Sequence, residues 1–169
     1  MINWIYYPRS SPLPAFGHSI VEAFLEASDS IDSNKSPNQP SNTVMARLCP
    51  GLEKVGFRVE KGKSADEKVE IPVLFGHRGE KKKCFNADAH AANERWVLEV
   101  EAGRAVANNQ FLKDIFQACM MHGVLNLAIA VRNTYRGSND FSTVENFLET
   151  LYVSGRLQLP LEGILLIGY

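Results

Sequence analysis

KCFNADAHAANERWVLEVEAGRAVANNQ, residues 83–110, is the stretch on which the reading of this chain turns. Glu99 and Glu101 stand two apart in an apolar run, and side chains two apart on a strand leave the same face. Trp96, Leu98 and Val100 fill the opposite face. Asp88 lies on a preceding strand, 83–90, that pairs with 95–102 across a loop at 91–94. That turn brings Asp88 back to the level of Leu98 and Glu99. One hairpin thus gathers three carboxylates. Like charges this close raise one another's pKa unless a cation lies among them. Hard oxygen ligands of this kind suit Mg²⁺ or Mn²⁺. A solvated strand face is the plain alternative. A strand between two apolar segments is central, however, and carboxylates there are costly without a purpose.

Working outward, residues 1–16 read as irregular, because Pro8, Pro12 and Pro14 break any helix. A short helix follows at 19–28, with Ser19 and Glu22 as a capping box. Residues 28–42 are rich in Ser, Asn, Asp and Pro and read as a loop or mobile linker. A helical piece at 43–55 carries Val44, Leu48 and Leu52, with Pro50-Gly51 kinking or dividing it. A short strand at 57–60, a charged turn at 61–68, a strand at 69–76 and a basic hairpin loop at 77–83 come next. Val69, Ile71, Val73 and Phe75 share one face of that strand. After the acidic strand, a helix is expected over 104–122, stopped by Gly123. LNLAIAV, 125–131, is apolar throughout, as a strand buried on both faces must be. A helix over 143–154, boxed by Ser142 and Glu145 and stopped by Gly155, precedes a last buried strand at 163–168.

Meander first and crossovers later predict an α/β (mixed α+β) fold: a central mixed sheet with an antiparallel meander, flanked by helices on both faces. The 169 residues suit one domain, with 1–42 as an N-terminal segment and 43–169 as the core. A net charge of −1 excludes a global positive field that would draw the chain to nucleic acid, leaving that task to local basic patches. Cys49, Cys84 and Cys119 show no pairing pattern and read as free thiols. There is no signal peptide and no apolar run near the roughly 20 residues of a membrane helix, so a cytoplasmic protein is expected.

The ordered set of Asp88, a turn, Glu99-Val100-Glu101, a long helix and an apolar returning strand resembles the PD-(D/E)XK nuclease core. WVLEVEAGRAVANNQFLKDIFQACMMHGVLNLAIAVRN, residues 96–133, is similar to the BamHI/BglII-like branch of restriction endonucleases. The likeness spans about 57–135. Ala87 stands where the family's namesake proline stands, and Glu101 where most members have lysine, which narrows it to the Glu-x-Glu variant. The resemblance implies a restriction-endonuclease-like core. Asp88, Glu99 and the Val100 carbonyl become ligands of Mg²⁺ or Mn²⁺, and Glu101 orients or deprotonates the attacking water. It also implies a metal-dependent endonuclease acting on DNA as a homodimer, without an organic cofactor, that leaves a 5′-phosphate and a 3′-hydroxyl. The alternative is a catalytically inactive module of the same fold that binds DNA or a protein partner.

Arg104, Asn108, Asn109, Gln110 and Lys113 lie on the first half of the expected helix, within reach of a phosphate backbone or simply as a polar face. Arg78, Lys81, Lys82 and Lys83 make the 77–83 loop either a DNA-contacting arm or a solvated hairpin tip. Glu53 reads as an accessory acid or as half of a surface salt bridge. His18, His77, His90 and His122 have no metal-ligand spacing, although His90 shares a strand face with Asp88.

Overall fold

The computed structural model describes residues 1–62 and 64–169; Lys63, within the expected charged turn at 61–68, lies outside them. In chain order the elements are β1 (Asn3–Tyr7), α1 (Ala15–Ile31), α2 (Ser41–Val55), β2 (Arg58–Val59), β3 (Val69–Phe75) and β4 (Lys81–Ala87). There follow β5 (Ala89–Ala91), β6 (Trp96–Glu101), α3 (Gln110–Met120), β7 (Asn126–Val131), α4 (Asp140–Ser154) and β8 (Gly163–Gly168). Six strands form one mixed sheet in the order β1-β8-β7-β6-β5-β2, while β3 and β4 make a separate two-stranded ribbon. The three central strands, β6, β7 and β8, are parallel, and the pairs on either side are antiparallel.

Strand alternation divides the core in two. Leu98, Val100, Ala128, Ala130, Leu165 and Ile167 face α1 and α2. Val97, Leu127, Ile129, Val131, Ile164 and Leu166 face α3 and α4. The expected mixed sheet with helices on both faces is therefore present, and every residue of β7 and β8 is buried. No helix among the described residues is long and apolar enough to cross a membrane. All three cysteines are free.

Several boundaries differ from the sequence reading, each for a local reason. Residues 3–7 are an edge strand antiparallel to β8 rather than irregular, because the prolines come after the strand and bound it. α1 starts directly after Pro14, so Ser19 and Glu22 sit inside the helix and cap nothing. The 32–40 segment is tied to the fold: Ser33 is buried, and Arg132 donates to the carbonyls of Pro37 and Gln39. α2 runs unbroken through Pro50, and its neighbour Gly51 lets the helix close on α1, where a Cβ would stand 3.2 Å from that of Ala23. α4 is capped by Asn139, whose side chain accepts from the Ser142 N–H, while Gly155 ends it as expected.

Two corrections bear on the acidic centre. The strand expected at 83–90 is broken at Asp88: β4 pairs with β3, and only β5 pairs with β6. The helix expected from 104 starts at Gln110, because Asn109 adopts a left-handed φ of 51° and residues 105–109 form turns.

Gly163 lies where a Cβ would fall 1.9 Å from the Tyr6 hydroxyl, itself bonded to Asn126. Gly163→Ala should destabilise the protein by about 1–3 kcal/mol in urea unfolding, the cost of overpacking a filled core. Unchanged stability would contradict this packing of β1 on β8.

Candidate active site

Asp88 sits in the break between the ribbon and the main sheet, and its own backbone fixes it there. Its carbonyl accepts from Glu60 N–H at 2.8 Å, which fastens the end of β2. Its carboxylate accepts from Val100 N–H at 2.6 Å. Its N–H in turn donates to the Glu99 carboxylate. In β5–β6 register Ala89 stands opposite Leu98, so Asp88 falls at the level of Glu99, as the hairpin reading expects. Glu99 and Glu101 leave the α3 side of β6, alternating with Leu98 and Val100 on the α1/α2 side.

A fourth carboxylate, which the sequence reading overlooked, arrives from α3. Asp114 is 3% exposed. It shares a hydrogen bond with Glu101, and one oxygen accepts from Gln110 Nε2 at 3.2 Å. The other oxygen, Oδ2, is buried and receives no N–H. The signal was available: 111, 115 and 118 form the buried stripe of the helix, and 114 lies within it. A carboxylate on a buried stripe marks a site rather than a surface.

Burial governs the charge state of the group. Desolvation, followed by the charges of Glu60 and Asp114, pushes Asp88 up from 3.8 to about 6, against the pull of the Val100 hydrogen bond. Desolvation, then Asp114 and Asp88, pushes Glu101 from 4.5 to about 8. Glu99 is held well above the ordinary carboxylate range by desolvation and then by Asp88, Asp114 and Glu101. Lys113 opposes the shift at Asp88, Glu101 and Asp114.

The acids line an open cleft of about 950 Å³ beyond the carboxyl ends of β6 and β7. Cations line it as well. Arg104, Lys113 and Arg136 are exposed there, and Tyr135 carries the Arg132 and Arg136 guanidinium groups at 5.1 and 5.2 Å from its ring centre. Arg132 is 2% exposed, and its guanidinium is engaged by the backbone of the 37–39 segment, so it shapes the cleft rather than facing a ligand. Arg132, Tyr135 and Arg136 were not singled out from the sequence; their position directly after an apolar parallel strand was the available cue.

The other expected contacts lie elsewhere. Asn108 and Asn109 are exposed on the turns before α3 and do not line the cleft, because the helix begins later than expected. Arg78, Lys81, Lys82 and Lys83 are exposed toward the far end of the ribbon, with Lys83 over the Phe85 ring at 5.4 Å. At ~3.3 Å per residue, Lys81 is roughly 20 Å along the ribbon from Asp88. That end packs beyond α3, where Phe75 meets His122 at 5.1 Å. His90 pairs with Val97 and faces the Arg58 side of the sheet, outside the cleft. Glu53 is bonded to Lys61 at 2.7 Å, a surface ion pair.

Among the described residues no three His, Cys, Asp or Glu side chains converge closely enough to form a ready-made metal cage. The donors present are nonetheless all hard oxygens. Mg²⁺ commonly takes only one or two carboxylates and completes its shell with water and phosphate oxygens, so this set fits it. No family model, curated protein or solved structure matches the chain.

Because Glu101 ionises near pH 8 when folded and near 4.5 otherwise, the folded state keeps a proton that the unfolded chain has released across that window. Stability from this group is therefore present at low pH, is lost as pH rises through the window, and levels off above it. The stability of Glu101→Gln relative to wild type should grow from about pH 5 to about pH 8, by no more than about 1.4 kcal/mol per pH unit. Urea denaturation at several pH values measures it; a difference independent of pH would contradict the assignment.

Proposed function

We propose that this chain is a Mg²⁺-dependent endodeoxyribonuclease with a restriction-endonuclease-like core, hydrolysing DNA phosphodiester bonds. The observation that carries the reading is a group of four carboxylates, half-buried Asp88, Glu99 and Glu101 with buried Asp114, lining the same solvent-open cleft as the exposed cations Arg104, Lys113 and Arg136. An acidic wall alone would repel a phosphodiester. Acids sharing one cleft with Arg104, Lys113 and Arg136 suit a phosphate with a divalent ion between.

In this reading Asp88 and Glu99, with the Val100 carbonyl, would hold the ion. When bound, it supplies Lewis-acid stabilisation of charge on the phosphate and lowers the pKa of a water. Arg104, Lys113 and Arg136 hold the phosphates on either side, as side chains that position the backbone without reading sequence. Glu101, once ionised by the nearby positive charge, would orient the attacking water and take its proton. Asp114, hydrogen-bonded to Glu101, fixes the direction of that carboxyl and acts as a positioning residue. Cutting both strands would need two such clefts, which favours a homodimer.

The absence of a ready-made cage among the described residues favours a second reading, an inactive module of this fold that binds DNA or a protein partner.

With Mg²⁺ or Mn²⁺ the purified protein should nick or cut plasmid DNA. Asp88→Ala and Glu99→Ala should each lower the rate by more than about 100-fold, with the fold verified by circular dichroism. Equal cleavage by wild type and both variants would overturn the catalytic reading, and no cleavage by any of them would favour the inactive module.

A further inference from the structure

A second cavity of about 650 Å³, within the size range of small-molecule sites, opens beside the acidic cleft on the other side of Asp88. The two share Ser41 and Asp88, so one continuous groove passes over the acidic centre. Its two arms differ in character. The first arm has Arg104, Lys113 and Arg136. The second has Met45, Ala46, Cys49 and Pro50 as an apolar floor.

The charges in the second arm are wrong for phosphate. Its cation, Lys61, is tied to Glu53 at 2.7 Å, and Glu60 and Asp88 add negative charge. The part of a ligand that lies here is therefore not a phosphate; the apolar floor and the carboxylates suit a group with apolar faces and hydrogen-bond donors on its edge. Hydrogen-bonding groups for such an edge are present. Pro50 has no N–H, so the Ala46 carbonyl lacks its helical donor. The Asn42 side chain is exposed at the rim. At the junction, the first turn of α2 offers the N–H groups of Ser41 and Asn42 with no side-chain cap, where a connecting phosphate could sit.

We propose that this pocket receives an unpaired nucleobase of the DNA strand whose phosphates lie along the acidic cleft, so that the substrate is DNA presented single-stranded or with one base out of the stack. The inference rests on the nuclease reading and narrows its substrate. A base paired and stacked inside a duplex has its faces covered by its neighbours, whereas an extruded base can lie on the apolar floor with its edge toward Ala46 and Asn42.

The test uses a fluorescent strand of about ten nucleotides and a second strand of equal length with every base removed. Both are titrated into the full chain with Ca²⁺ in place of Mg²⁺ and read by anisotropy. Wild type should prefer the base-bearing strand by about tenfold or more. Ala46→Trp, which fills the pocket from an exposed helix position, should bring its affinity close to that of the abasic strand. Ala46→Leu should lose only part of the preference, a graded response that also guards against misfolding of the larger substitution. Equal wild-type affinity for the two strands, or an undiminished preference in Ala46→Trp, would overturn the pocket assignment and leave the nuclease reading standing. Binding of neither strand would overturn both.

Discussion

Asp88 is bonded to its neighbours through one carboxylate oxygen, its carbonyl and its N–H. Its carboxylate takes the Val100 N–H, its carbonyl takes the Glu60 N–H, and its own N–H goes to Glu99. These bonds join the ends of β2, β5 and β6 at the point where the chain leaves the ribbon, and they bring two carboxylates together at one strand end. Charge-assisted hydrogen bonds are the strong members of their class, and here they work against a desolvation cost that raises the pKa of each acid they touch. The cleft, the charge state of its wall and its relation to the second pocket all follow from that junction.

The surrounding architecture keeps the junction in place. Parallel β7 and β8 are buried on both faces and β7 pairs along β6, which fixes the height of the acids relative to the loops after β7. Arg132 leaves the end of β7 and grips the 37–39 segment, carrying the start of α2 to the mouth of both cavities. A buried guanidinium held by backbone carbonyls is rigid, so it acts as a fixed strut between the sheet and the segment that would otherwise be a loose connection.

Much of this was legible in the sequence, and where it was not the reason is physical. Glu99 and Glu101 on one face, Trp96, Leu98 and Val100 on the other, and the two apolar strands all follow from a period of two, which local sequence carries directly. The level of Asp88 also follows, because a hairpin fixes register. The break of the strand at Asp88 does not, since it depends on hydrogen bonds to Glu60 and Val100 that are remote in sequence. The prolines at 8, 12 and 14 hid a strand because they punctuate its end rather than its interior. Asn109 stopped the α3 helix from reaching Arg104 by adopting a left-handed conformation that a polar run does not announce. Asp114 was legible in principle as a charge on a buried stripe, whereas Arg136 and Tyr135 enter the cleft only through tertiary folding. Of the basic segment 77–83 only the part before Lys81 is the turn, since Lys81–Lys83 already pair with β3, and the length of the ribbon carries the segment away from the acids.

The central claim is that these carboxyls, whose ionisation is disfavoured by desolvation and by one another, form a seat for a divalent ion. Metal binding to protonated ligands must release protons, and calorimetry in two buffers of different ionisation enthalpy counts them. Titrating Mn²⁺ into the protein near pH 7 should give saturable binding with release of about one proton, and Glu99→Gln should abolish it. Absence of saturable heat in the wild type, or binding that survives intact in Glu99→Gln, would contradict the account.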